Sequence, residues 1–248
     1  MRILLSGANG RMGHAVARQA APGEIVCGVD PAGGDFPFPV YPDFSSVPEM
    51  PEKVDVIIDF SKADALHSLL EYAMKNQVAC VLCATGYTDA QLEEIRRASE
   101  TIPVFRSANM SIGVAVLRKL STMAASLLGD DFDIEIVEAH HNQKMDAPSG
   151  TAIMLFDAVN QGCLGTKTRK DGRSGMGKRE KQEVGMHALR GGTVAGEHAV
   201  CFFGPMERIE LKHSAEDRSV FAVGAIRAAR YMAGQKPGLY NMDQVIGL

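Results

Sequence analysis

The stretch that most constrains this fold is Gly7-Ala8-Asn9-Gly10-Arg11-Met12-Gly13, which follows at once on the apolar run Arg2-Ile3-Leu4-Leu5-Ser6. Glycines spaced G-x-x-G-x-x-G between a strand and a helix are a variant of the dinucleotide fingerprint. They let the backbone approach a pyrophosphate, and the helix start offers N–H groups and a positive partial charge. The helix runs to about Ala20, with Met12, Val16 and Ala20 on one face. A second strand, Glu24-Ile25-Val26-Cys27-Gly28-Val29, ends at Asp30, where a ribose diol requires an acid. A tight strand–helix turn with no ligand is the plainer alternative, and the flanking strands and the acid argue against it.

The pattern continues. Residues 31 to 53 are rich in Pro and Gly and read as a long irregular connection. Val54 to Asp59 is a third strand, and Lys62 to Asn76 a helix with Leu66, Leu69, Leu70 and Ala73 on one stripe. Val78 to Cys83 is a fourth strand, Thr88-x-x-Gln91 a capping box for the next helix, and Pro103 to Ser107 a fifth strand. Strand and helix alternate, so the first half is an α/β, Rossmann-type, doubly wound parallel sheet. Ligands in such sheets sit beyond the carboxyl ends of the strands. That rule nominates the Gly7 loop, Asp30, Ser61, Cys83 to Gly86, and Ser107 to Met110 as one crevice.

The second half differs. After a long helix, Ile112 to Leu128, a strand at 133–140 leads into Glu138-Ala139-His140-His141-Asn142-Gln143-Lys144-Met145-Asp146-Ala147-Pro148-Ser149-Gly150-Thr151-Ala152. Two histidines, a lysine and an anion-ready helix start lie within a dozen or so residues. A helix follows from Thr151 to about Asn160. Residues 162 to 183 are rich in Gly, Lys and Arg and lack an apolar period, so they read as a mobile loop. Glu183 to Arg190, Thr193 to Phe203 and Arg208 to Ser214 read as strands of an antiparallel or mixed sheet, making this half α+β. An alanine-rich helix, Arg218 to Ala233, and a short tail from Leu239 close the chain.

Composition narrows the partners. The formal net charge of −4 argues against nucleic acid or an anionic membrane. The N-terminal apolar run is too short for a signal peptide, and no uninterrupted apolar run approaches membrane-spanning length. The five cysteines are odd in number and sit mostly in strand-like runs, which predicts reduced thiols and a cytoplasmic location. Cys80-Val81-Leu82-Cys83 fits C-x-x-C, but residues three apart on a strand face opposite sides and no second pair follows, so it reads as core.

Three motifs together resemble the 4-hydroxy-tetrahydrodipicolinate reductase family of diaminopimelate and lysine synthesis. They are Gly7-x-x-Gly10-Arg11-Met12-Gly13, the stretch from Glu138 to Ala152, and Glu210-Leu211-x-His213-x-Ala215-x-Asp217-Arg218. The resemblance spans the chain from Met1 to the tail. It implies a dinucleotide-binding domain of residues 1–110 and 214–248, an inserted substrate-binding and oligomerisation domain of residues 111–213, and a homotetramer assembled through the substrate-domain sheets. It implies NADH or NADPH as cofactor and a cyclic imine dicarboxylate as substrate. Gly7, Ala8, Asn9, Gly10, Arg11 and Met12 then form the pyrophosphate loop, and Asp30 faces the adenosine ribose. Cys83, Ala84, Thr85, Ser107, Ala108, Asn109 and Met110 line the nicotinamide side. His140 matches the general acid/base, Lys144 the second proton donor, and His141, Gly150 and Thr151 the substrate-carboxylate contacts.

Two departures stand out. Family members often have Gly-Thr-Thr where this chain has Cys83-Ala84-Thr85, so Cys83 must tolerate the local dihedrals. Many also carry Arg next to the ribose acid, where this chain has Pro31. Asp30 without that cation favours an unphosphorylated ribose, although Arg11 lies nearby. Three rivals remain. A metal hydrolase needs a third ligand beside His140 and His141; Glu138 and Asp146 are available, but no H-E-x-x-H spacing occurs. Another NAD-dependent small-molecule dehydrogenase shares the first half and differs at residues 138 to 151. A nucleotide-sensing protein binds without turnover. His14, His67 and His187 read as surface or packing residues.

Overall fold

The computed structural model describes residues 1–50 and 52–247. In chain order the elements are β1 Ile3–Ser6, α1 Arg11–Gln19, β2 Ile25–Val29, β3 Val40–Tyr41, β4 Val56–Asp59, α2 Leu66–Asn76, β5 Ala79–Leu82, α3 Asp89–Ala98, β6 Pro103–Arg106, α4 Ile112–Leu128, β7 Asp133–His140, α5 Gly150–Gly162, β8 Thr168–Asp171, β9 Glu183–Arg190, β10 Gly196–Gly204, β11 Glu207–Ala215, α6 Ser219–Met232, β12 Gly238–Tyr240 and α7 Met242–Val245. The chain folds into two compact units, Met1–Ser111 with Arg218–Leu248, and Ile112–Asp217.

The first unit is a parallel sheet in the order β12-β6-β5-β4-β1-β2-β3. Its central strands β1, β4 and β5 are short, mostly apolar and buried along their whole length, as strands covered on both faces require. Leu4, Ile57, Cys80, Leu82 and Val104 join Leu66, Leu69, Leu70 and Ile95 of the helices in one core. The capping box at Thr88 and Gln91 forms, with both reciprocal bonds present. Two expectations change here. The connection of 31 to 53 contains β3, a parallel edge strand on β2, too short at two residues to leave an apolar period. The tail also contributes a strand: β12 extends the sheet beside β6.

The second unit is a mixed sheet, β11-β10-β7-β9-β8. β10 runs antiparallel to β7 and β11, while β9 is parallel to β7 and β8. β7 alternates by burial, and Ile134 and Ile136 face a core built with Leu117 and Ala125 of α4 and Leu155 and Val159 of α5.

The basic segment 162 to 183 is irregular from 172 to 182, as its composition predicts, but not throughout. It carries edge strand β8, exposed on every residue and therefore without an apolar signature. Several of its cations are paired within the protein. Lys167 is buried on Asp130 at 2.7 Å, Arg173 pairs with Glu183, and Arg179 bonds Asp133 at 2.8 Å and Glu135 at 3.1 Å. β10 starts at Gly196, three residues later than its sequence indicates, because the residues before it belong to a turn described below. α4 with its 3-10 extension, Ile112–Asp131, meets the length and composition of a membrane span, with a mean hydropathy of 1.3. Arg118 and Lys119 interrupt its apolar run, and its inner stripe packs on α5.

Candidate active site

Parallel register brings the cofactor candidates of the first unit to one edge. Ser6 lies level with Val29 and Asp59, Asp59 with Leu82, and Leu82 with Arg106. The Gly7 loop, Asp30, Ser61, Cys83 and Ser107 therefore all leave the sheet at its carboxyl end. Gly7 has φ +73, and a Cβ there would lie 2.8 Å from the Phe60 backbone. A Cβ on Gly13 would lie 2.2 Å from the carbonyl oxygens of Gly7 and Ala8. These two glycines are thus required by close approach of backbone to backbone. α1 starts on Gly10 with no capping side chain and no first-turn acid among the described residues, so nothing within the helix itself offsets its positive end.

Asp30 ties the loop together. Its carboxylate accepts the Asn9 N–H at 3.0 Å and the Ala32 N–H at 2.9 Å. Asn9 and Arg11 are exposed, while Ala8 is buried. Along the same edge, Met12, Phe60, Cys83, Ser107, Ala108, Asn109, Met110 and Phe221 line a cavity of about 170 Å³. Ser107 Oγ donates to Asn109 O at 2.6 Å, and Asn109 Oδ1 accepts the Ser111 N–H at 2.8 Å, which shapes the wall. Ala84 is buried, and Thr85 is exposed. Cys83 does not take a left-handed conformation, so its replacement of glycine is accommodated. Burial first, then Asp59, pushes its thiol well above the usual range, so it remains protonated. A dinucleotide fits this edge: the glycines leave room for a pyrophosphate, the helix start attracts it, Asp30 offers a carboxylate, and the cavity admits part of a ring.

The second candidate cluster lies wholly in the second unit. The alternation that buries Ile134 and Ile136 continues along β7, so Glu138 and His140 share the buried face. His140 Nδ1 lies 2.5 Å from Glu138 Oε2, and among the described residues nothing hydrogen-bonds Nε2. With Glu138 ionised, Nδ1 carries the proton of that bond and Nε2 is the exchangeable position. Burial pushes the Glu138 carboxyl up, but Arg190, His140 and the Ser149 amide outweigh it and hold the group below the ordinary carboxylate range. Burial also lowers His140; Glu138 opposes this, while Lys144 and Arg190 add to it.

Past the strand end the chain turns. The His141 N–H bonds Val194 O at 2.8 Å, and the Gly191 N–H bonds His140 O at 2.9 Å. The residues that delay β10 thus hold the two histidines. Lys144 pairs with Asp146 at 2.8 Å. Ser149 caps α5, accepting the Ala152 N–H at 3.2 Å, and Gly150 and Thr151 form the helix start. Among the described residues no group of three His, Cys, Asp or Glu forms a metal site.

Sequence reasoning missed three members of this cluster. Glu138 appeared only as a spare metal ligand, although its i, i+2 spacing to His140 signals a shared face. Arg190 and His198 lie far along the chain and gave no local signal. His198 is buried, its Nε2 3.1 Å from Ser149 Oγ and its ring edge-on to His140, with 5.1 Å between centroids. Burial, then His140, drives its pKa down to about 4. The unfolded chain takes up that proton near pH 6.5 and the folded chain only near 4, so acid favours unfolding between those values. The stability difference between pH 7 and pH 4.5, from urea titrations, should shrink by about 2–3 kcal/mol in His198→Gln. An unchanged difference would mean that His198 ionises freely in the folded state.

Known proteins align along the whole chain. Residues 1–110 match the family model described as dihydrodipicolinate reductase, N-terminus, and residues 113–246 that described as dihydrodipicolinate reductase, C-terminus. The chain is 45% identical to 4-hydroxy-tetrahydrodipicolinate reductase of Clostridium novyi (strain NT), over 99% of this chain and 98% of that one. It is 46% identical to the protein of the same name from Caldanaerobacter subterraneus subsp. tengcongensis, at the same coverage. A solved structure, dipicolinate-bound dihydrodipicolinate reductase from Paenisporosarcina sp. TG-14, superposes with a TM-score of 0.81 over 100% of this chain and 99% of that one, at 22% identity. With both halves of the family model matched in order and the relatives aligned end to end, this chain belongs to the dihydrodipicolinate reductase family.

Proposed function

We propose that this chain reduces 4-hydroxy-tetrahydrodipicolinate to tetrahydrodipicolinate with NADH or NADPH, His140 acting as the proton donor. Family membership supports the reaction. One observation carries the role of His140: a buried carboxylate holds Nδ1, so the proton to be moved sits on Nε2.

The substrate is a cyclic imine with two carboxylates. Loss of its 4-hydroxyl as water leaves a conjugated C=C–C=N system. When bound, the reduced nicotinamide supplies hydride to C4. His140 Nε2 delivers the one proton that C3 then needs, and the Lys144 ammonium stabilises the negative charge that develops before it arrives. Gly150 and Thr151, at the positive end of α5, hold one carboxylate with His141 beside them. The Gly7–Met12 loop holds the pyrophosphate, Asp30 the ribose, and Cys83 with Ser107–Met110 the nicotinamide side; Ala84 and Thr85 contribute through their backbone.

Absorbance at 340 nm with freshly generated substrate tests this reading. Turnover is expected, and nucleotide binding without turnover would make the chain a sensor instead. Because Asp30 is an acid with no cation in place of Pro31, kcat/KM with NADH should at least equal that with NADPH. A strong NADPH preference in the same assay would refute this. A cytoplasmic homotetramer completes the proposal. Leu189 and Phe203 are exposed on the sheet face turned away from α4 and α5, which favours assembly through that face. Light scattering would read the tetramer directly.

A further inference from the structure

β9 ends at Arg190, fifty residues beyond His140 in the chain and directly across from it in the parallel register. Its guanidinium grips Glu138 with both arms: Nη1 donates to Oε2 and Nη2 to Oε1, each at 2.7 Å. Nη2 also donates to Asp146 O at 2.7 Å. The other contacts of the Glu138 carboxylate are the Ser149 N–H at 3.0 Å and His140 Nδ1 at 2.5 Å. Groups from β7, β9 and the start of α5 thus meet on one carboxylate that is 1% exposed.

We infer that Arg190 is a positioning residue, which acts through Glu138 to hold the tautomer and orientation of His140 and to register the imidazole against the Lys144–Thr151 segment.

The chemistry requires such a group. A buried carboxylate left alone either takes up a proton or becomes a full counter-ion to its neighbour. Protonated Glu138 would present O–H to Nδ1 and send the imidazole proton to Nε2 permanently. Fully charged Glu138 facing only His140 would lock the ring as imidazolium, reluctant to give the proton up. A bidentate guanidinium does neither, because it keeps Glu138 ionised while sharing its charge. The bond to Asp146 O adds geometry, since the Asp146–Ala147 peptide is then fastened to the guanidinium that grips the carboxylate holding the ring. The groups facing His140 are Glu138 from its own strand, Lys144 with Asp146 from the loop, Arg190 from β9, and His198 from β10, with His213 across the register from His198 on β11.

The inference rests on the reading of His140 as proton donor, and its test separates the two. Histidine-labelled protein without substrate is titrated by NMR, and kcat and KM are measured against pH. In Arg190→Met the buried Glu138 carboxylate loses its partner, so His140 should titrate about one unit or more away from the parent value, upward where Glu138 stays ionised and downward where it takes up a proton. kcat should fall about 10- to 100-fold, with the KM for NADH within about twofold. Arg190→Lys restores the charge but not the fork, so His140 should titrate near the parent value while kcat stays reduced. An Arg190→Met protein with the parent titration, or an Arg190→Lys protein with the parent kcat, overturns the inference. Arg190→Lys preserves charge and most of the stem, and decides the question alone if the methionine variant does not fold. Absence of turnover in the parent would sink the proposed reaction and still leave the titration to decide the link between Arg190 and His140.

Discussion

Replacing His140 by glutamine should lower kcat by about 10²- to 10⁴-fold, the span attached to losing a positioned general acid. KM should change little, because glutamine fills a similar volume and His141, Gly150 and Thr151 remain to bind the carboxylates. The expectation follows from the bond at Nδ1. Glu138 occupies one ring nitrogen at 2.5 Å and leaves the other to exchange a proton, a division that the glutamine amide cannot reproduce. The pH profile adds a second reading with a definite sign. A donor works only when protonated, so kcat/KM should fall as pH rises through the His140 pKa. Burial sets that pKa below the ordinary imidazole value of about 6.5, despite the opposing pull of Glu138. The descending limb therefore lies on the acid side of that value in the free enzyme and should vanish in His140→Gln. Unchanged kcat with intact substrate would remove His140 from the chemistry.

Lys144→Ala should cost about 10²- to 10³-fold in kcat, the range seen when one donor to a developing charge is removed, and should raise KM as well. The ammonium is held by Asp146 at 2.8 Å, and its backbone N–H bonds His141 O at 3.1 Å, so lysine and histidines belong to one turn. A substrate dianion competes with Asp146 for the charge, which explains the expected KM component. A pure KM effect would reduce Lys144 to a binding role, since an interaction made equally with substrate and transition state leaves kcat alone.

The parts of this protein legible in its sequence are those written in local periods. Strand–helix alternation, the glycine loop with its acid, the capping box at Thr88 and the strand ending at His140 all depend on neighbours a few residues apart. Features without a local period were not legible. β3 and β12 are too short, and β8 is exposed on both faces, so pairing partners rather than apolar rhythm make them strands. The basic segment likewise looked unstructured because three of the acids that bind it, Asp130, Asp133 and Glu135, lie more than thirty residues away from their partners along the chain.

The candidate active-site cluster divides in the same way. His140, His141, Lys144, Gly150 and Thr151 lie within a dozen residues, and the sequence by itself placed them in one strand–turn–helix stretch. Which ring nitrogen of His140 is held, and by what, was decided only in three dimensions. Parallel pairing of β7 with β9 sets Arg190 opposite His140, and antiparallel pairing with β10 sets His198 opposite Glu138. A sequence specifies which face of a strand each side chain takes, because that alternation is built into the backbone. It does not specify which distant strand will lie alongside, because that depends on burying the whole sheet against α4 and α5.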